Sequence, residues 1–238
     1  MEIKKNYQCL SGSFLKVLAV VTMVVDHIAS ILLYDDTWKL NMPVEYVDRL
    51  YYVMRVIGRL SFPLYAFLLV EGFEHTRDRK KYGIRLLVFA LLSEIPWDLA
   101  HGNTIINLGS QNVFFTLLLG FAGLCIIEEY EKKKEKIDIL WLIGLLVVSI
   151  GLNADFRWSG FGFILMLWLL RKLPLQRAII GCCFLESGWK AGLAFIPISL
   201  YNGKRGFIKG SFLKLLFYVI YPLHLLILYL IKLKLGGY

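Results

Sequence analysis

From Phe14 to Tyr34 the chain runs almost without a break through apolar side chains. Eight more such runs follow, near residues 54–73, 82–100, 112–128, 138–152, 160–171, 177–188, 190–201 and 211–233. They are continuous rather than alternating, so they read as helices rather than strands. Several approach the roughly 20 apolar residues that carry a helix across a bilayer. Composition closes off a soluble alternative: 58% of the residues are hydrophobic, 19% are charged and the mean hydropathy is +0.61. Soluble domains average about half apolar, and a chain of this length has too small an interior to hide the excess. The same balance excludes a disordered chain or a coiled coil. In lipid every backbone polar group must be satisfied internally, which leaves helices or a closed barrel. The expected fold is an all-α integral membrane protein, one polytopic helical bundle over residues 1–238 with about nine transmembrane segments. The sixth to eighth runs are short and are expected to tilt, break or turn back.

The first run carries Asp26 and His27 and ends in Tyr34-Asp35-Asp36 without small cleavage-site residues, so it reads as a retained helix rather than a signal peptide. A net charge of +9 is better explained by the gathering of lysine and arginine on cytoplasmic loops than by a nucleic-acid partner. With the N-terminus placed in the cytoplasm, 19 of the 27 basic residues fall inside, from Lys4, Lys5 and Lys16 to Lys204, Arg205, Lys209 and Lys214. Lys39, Arg49, Arg55, Arg59, Arg157, Lys190, Lys232 and Lys234 fall outside. Even-numbered loops are basic and odd-numbered ones are not, as expected of a multi-pass protein of the inner membrane. Cys9, Cys125, Cys182 and Cys183 form no C-x-x-C pair and no metal-ligand spacing, so they read as small apolar filler and no metal is expected.

Ionisable groups inside a membrane helix are costly and by default functional. Counted along each helix at 1.5 Å per residue, they converge on the outer half of the bilayer. Asp26 and His27 lie on the first helix, Arg55 and Arg59 on the second, Glu94 and Asp98 on the third, and Gln111 and Asn112 open the fourth. Asp155 and Arg157 precede the sixth, Glu186 and Lys190 flank another outer turn, and His224 sits mid-way along the last. Arg55/Arg59 and Glu94/Asp98 each share a helix face. One helix thus offers two cations and another two carboxylates, which either pair to hold the bundle or serve a site. Asp26 and His27 are neighbours and point about 100° apart, so Glu94 is the better candidate to orient His27. Pro63, Pro96 and Pro222 are expected to interrupt helices beside polar groups. Gly160-Phe-Gly162 is expected to let helices approach closely. The cytoplasmic loop Tyr201-Asn-Gly-Lys-Arg-Gly206 combines turn residues with two cations that could grip phosphates.

Taken together, Met23-Val-Val-Asp-His27, Ile57-Gly-Arg-Leu-Ser-Phe-Pro63, Glu71-Gly-Phe73, His75-Thr76, Ser93-Glu-Ile-Pro-Trp-Asp98, Gln111-Asn-Val-Phe-Phe-Thr116, Tyr201–Gly206 and Tyr221-Pro-Leu-His-Leu225 resemble the TraX family of membrane acetyltransferases. Tyr82 with Arg85-Leu86 continues the match, which runs in order over roughly residues 14–228. The first-helix histidine and the final Pro-Leu-His also look like the wider acyltransferase-three superfamily. The resemblance implies an acetyl-CoA-dependent transferase acting on a protein N-terminus, or on an envelope glycan or lipid.

Residues and resemblance combine into one expectation. Lys204, Arg205 and Asn202 hold the phosphates of cytoplasmic acetyl-CoA. His27 is the general base, Glu94 orients it, and Asp26 lies beside it. Arg59 stabilises the thioester oxyanion, and His224 is an alternative base or transient acyl carrier. Arg55, Asp98, Gln111, Asn112 and Asp155 contact the acceptor. Two other readings of the same residues stay open: a proton-coupled transporter with a polar midplane, and an assembly protein whose polar core is structural.

Overall fold

The structure, a computed structural model, describes residues 7–34, 43–185 and 187–235. Lys4, Lys5, Lys39 and Glu186 lie outside the described residues. The described chain is helical, with two isolated backbone bridges and no strand. The helices are α1 (Gly12–Ile28), α2 (Val44–Gly58), α3 (Ser61–His75), α4 (Arg79–Gly102), α5 (Val113–Lys133), α6 (Lys136–Gly151), α7 (Arg157–Leu169), α8 (Pro174–Phe184), α9 (Trp189–Gly192), α10 (Phe195–Ser199) and α11 (Ser211–Lys234). A π-helical turn, Ala29–Leu33, extends α1.

Among the described residues four stretches are long and apolar enough to cross a membrane: Gly12–Leu33, Val44–His75, Val113–Lys133 and Phe212–Lys234. α4 has 24 residues, ample length for a bilayer core about 30 Å thick, but carries charges toward both ends. α6, α7 and α8, at 16, 13 and 11 residues, are shorter than the about 20 a perpendicular crossing needs. The second apolar run differs from expectation. It starts earlier, at Val44, and breaks at Arg59-Leu60 into α2 and α3. Pro63 in the first turn of α3 has no N–H to offer the carbonyl of Arg59, so the helix restarts there. Pro96 and Pro222 do not interrupt their helices; α4 and α11 run through them. The eighth run, which contains Pro197, divides into the one-turn helices α9 and α10.

The core gathers Leu15, Ala19 and Met23 of α1, Leu64, Phe67 and Phe73 of α3, Phe89 of α4, Leu117 and Phe121 of α5, Phe163 and Leu167 of α7, and Leu225 of α11. Gly160 does allow close approach: a Cβ there would lie 2.6 Å from Cβ of Phe156 and 2.7 Å from the methyl of Thr116. α6 lies at the rim and exposes Leu140, Trp141, Val147 and Ile150, a surface suited to lipid rather than water.

The connections sort to two ends. At one end Arg79 pairs with Glu128 at 3.4 Å and Arg171 with Glu131 at 4.0 Å. At that end the 200–208 loop is stitched to the start of α1: Leu10 N–H donates to Leu200 O (2.9 Å), Gly12 to Lys204 O (2.8 Å) and Ser13 to Arg205 O (2.8 Å). α1 and α11 therefore start from the same end and run in parallel. At the other end Tyr229 Oη donates to Asn103 Oδ1 (3.1 Å), and Gln111 pairs through its backbone with Asn153 and Asp155.

Candidate functional site

Running in parallel from one end, α1 and α11 bring His27 and His224 to the same depth. His27 Nδ1 lies 2.6 Å from His224 Nε2, with both rings buried. Their planes lie within 24° of each other, so the rings meet edge to edge. The second nitrogen of His224, Nδ1, lies 2.9 Å from the Ile220 carbonyl. A carbonyl only accepts, so His224 Nδ1 carries a hydrogen. In the neutral ring His224 Nε2 then presents a lone pair, His27 Nδ1–H donates to it, and His27 Nε2 is left as an unprotonated nitrogen. This pairing corrects the expectation that Glu94 orients His27.

Asp26 points away from His27, as the helical angle requires, toward α2. Its Oδ2 accepts from Arg55 Nη1 at 2.6 Å, and Oδ1 lies 3.7 Å from Arg59 Nη2. Among the described residues neither arginine pairs with Glu94 or Asp98 of α4. Gly58, between the two arginines, lets α2 lie against α1: a Cβ there would overlap the Asp26 carboxylate.

Four expected site residues make hydrogen bonds within the fold. Glu94 accepts from Asn112 N–H (3.0 Å) and from the Asn112 side-chain amide. Asn112 caps α5 through Phe114 N–H (3.0 Å) and donates to Ala90 O (2.8 Å), tying α4 to α5. Asp98 holds the 103–112 loop by accepting from Asn107 N–H at 2.7 Å. Gln111 anchors the 153–155 loop through its backbone. None of the four lines either cavity described here.

Two cavities adjoin one another beside the histidines. The inner one, about 50 Å³, is bounded by Asp26, His27, Arg59, Tyr65, Asp155, Phe156 and Tyr221 among others. The outer one, about 370 Å³, is lined by Arg59, Ser110, Asn153, Asp155, Phe156, Arg157, Ser159 and Ser187, with Ala154 and Leu185. Arg59, Asp155 and Phe156 belong to both. Asp155, in the loop between α6 and α7, has its carboxyl pushed up to about 6 by burial, against the opposing pull of Arg59. Sequence reasoning missed Tyr65, Tyr221, Phe156 and His101. The His101 ring centroid is 6.0 Å from that of His27 and 3.9 Å from that of Trp97. His101 falls three residues after Asp98 on α4, a spacing that could have flagged it. Among the described residues no group of three or more potential ligands could hold a metal.

At the opposite end the Tyr201–Gly206 loop forms a clamp. Asn202 N–H donates to Leu10 O (2.8 Å), and Asn202 Oδ1 accepts from Lys204 N–H (2.9 Å), so the Asn202 amide serves the turn. Gly206 adopts φ +86°, and a Cβ there would collide with Ser11 and Ser13. The exposed Lys204 and Arg205 side chains form no ion pair with another described residue. Arg205 lies within Coulombic reach of Lys16 and Lys214, and both of these also lie within reach of Arg85.

The chain has well-defined relatives. The family described as TraX protein matches residues 11–232. The probable fimbrial assembly protein FimC, serogroup H1, of Dichelobacter nodosus is 28% identical over 244 residues, which span 90% of this chain and 92% of that protein. No solved structure matches the chain.

Proposed function

The chain belongs to the TraX protein family, and from that premise we propose that it is a membrane-bound acetyltransferase. It moves an acetyl group from cytoplasmic acetyl-CoA to an amine or hydroxyl acceptor in the outer half of the inner membrane, in the service of surface-fibre assembly. The chain starts in the cytoplasm and crosses about nine times, which puts the 200–208 loop inside and the two cavities toward the outer face. The single observation that carries the reading is the His27–His224 pair, 2.6 Å apart and facing a small cavity shared with a guanidinium.

Lys16, Arg85, Lys204, Arg205 and Lys214 fit the phosphates of an acyl-CoA, because Lys16 and Lys214 each lie within Coulombic reach of both Arg205 and Arg85, beside the loop that carries Lys204. Acetyl-CoA supplies the activated acyl group. His27 Nε2 takes the proton from the acceptor N–H or O–H as that atom bonds to the thioester carbonyl carbon. His224 Nε2 keeps its hydrogen bond to His27 Nδ1–H and so holds the resulting imidazolium in place, a positioning role. Arg59 faces the carbonyl oxygen as charge collects there. The C–S bond then breaks, the CoA sulfur leaves with the electron pair, and His27 returns the proton to it. General-base assistance of this kind contributes about 10²–10⁴-fold.

The test is transfer or hydrolysis of radiolabelled acetyl-CoA by purified protein beside a His27→Ala variant. Label release that disappears in the folded variant is expected. Full activity without His27 would end the proposal. The relative's name favours a second reading, an assembly protein with a structural polar core. It predicts that no acetyl-CoA is bound or turned over and that changes at His27 alter only stability.

A further inference from the structure

The outer cavity is not used in the proposed chemistry at His27, and its residues are unusual. Three non-glycine residues in five, Asn153, Phe156 and Arg157, hold left-handed backbone, with φ of 50°, 65° and 40°. Such conformations are disfavoured for residues with a Cβ and persist where surrounding structure enforces them, often at functional sites. Here Thr116 Oγ1 donates to Asp155 O, Asp155 N–H to Gln111 O (2.9 Å) and Ser159 Oγ to Phe156 O (2.8 Å). The enforced turn stacks Phe156 on Phe62, centroids 3.9 Å apart and planes within 12°. Phe156 thereby stands where the 370 Å³ cavity meets the 50 Å³ one. The outer space is within the usual size of a small-molecule site; the inner one suits only a group of a few heavy atoms.

The charges are equally specific. Among the described residues the lining holds two guanidinium side chains, Arg59 and Arg157, and one carboxylate, Asp155. Arg59 is already shared with Asp26 at 3.7 Å. Arg157 makes no ion pair among the described residues. Ser110, Ser159 and Ser187 complete a polar wall.

We infer that the outer cavity is the acceptor's binding site, that it selects a small head group bearing an anionic substituent through Arg157, and that Phe156 is the partition between this site and the histidine pair. The word acceptor rests on the acetyltransferase reading; the cavity, its charge preference and its partition do not.

The test therefore uses thiol reagents rather than turnover. In the full-length protein with its four cysteines replaced by alanine, Ser110→Cys or Ser187→Cys reports on the outer cavity, and Ser61→Cys or Met23→Cys on the inner one. The probes are anionic sulfonatoethyl and cationic trimethylammonioethyl methanethiosulfonate. A single nearby guanidinium in a partly solvated cavity gives the anionic probe an expected three- to tenfold rate advantage at the outer reporters, abolished by Arg157→Gln. The inner reporters should react at least tenfold more slowly than the outer ones, and Phe156→Ala should remove most of that difference. Inorganic phosphate or acetate at 50 mM should slow outer labelling, and whichever protects better identifies the anion as phosphate or carboxylate. Equal rates for the two probes, no effect of Arg157→Gln, protection by neither anion, or fast inner labelling with Phe156 in place would each overturn the inference. A chain inactive toward acetyl-CoA would still give the full labelling pattern, so the two readings fail separately.

Discussion

Replacing Asp26 by asparagine keeps its volume and removes its charge, leaving Arg55 and Arg59 facing each other across Gly58. The Arg55 contact is short and direct, 2.6 Å, and the Arg59 contact is looser, 3.7 Å. The three side chains are only 18–27% exposed, so solvent does little to replace what is lost. Two unit charges about 4 Å apart interact by about 4 kcal/mol at an effective dielectric of about 20. Breaking a buried pair by removing one partner costs about 3–5 kcal/mol. Residual exposure lowers the expectation for Asp26→Asn to about 2–4 kcal/mol. For a chain of this size each kcal/mol moves the midpoint by about 2–4 °C, so a fall of roughly 5–15 °C is expected in detergent-solubilised thermal unfolding. A double-mutant cycle refines the assay. Coupling of Asp26→Asn with Arg55→Gln should exceed coupling with Arg59→Gln, following the distances. An unchanged midpoint, or stronger coupling to Arg59, would refute the reasoning.

Gly58→Ala should destabilise by a comparable amount, read in the same melts, because the new methyl takes the space of the Asp26 carboxylate. His224→Phe keeps a ring but removes the acceptor for His27 Nδ1–H; acetyl transfer should fall by about 10²–10⁴-fold. Combining it with His27→Ala should cost no more than His27→Ala alone, because the two rings act as a unit; additive losses would refute the pairing. Asp155 is held protonated up to about pH 6 in the fold, above the ordinary carboxyl range. It therefore favours the folded state at pH below about 4, and that advantage fades as pH rises to about 6. Asp155→Asn should raise thermal stability at pH 7 and flatten its decline between pH 4 and 6; a steeper decline in the variant would contradict this.

The sequence made the membrane class plain because the apolar runs are long, and it put polar groups at one depth because helical rise is constant. His27 and His224 stood out as histidines within long apolar runs. Their union could not be read, since it depends on α1 and α11 being parallel neighbours. That follows from the stitch between Leu10–Ser13 and the 200–208 loop. The spacing of Arg55 and Arg59 announced a shared face but not its neighbour. Two carboxylates on α4 looked the natural match, yet Gly58 lets α2 close on Asp26. The contact of Glu94 with Asn112 at the start of α5 could not be read either, since it depends on how α4 packs on α5. Phe156 carried no signal at all: it is one of sixteen phenylalanines, and its importance comes from a left-handed turn that usually advertises itself with glycine.

The two imidazoles are separated by 197 positions along the chain. At about 5–20 residues per second of synthesis, His27 enters the bilayer about 10–40 s before the residue that fixes its tautomer is made. During that interval α1 has no α11 beside it and the base lacks its positioning ring. Under the proposed acetyltransferase reading, reactivity is postponed until α11 inserts, and a product that ends before α11 transfers no acetyl group.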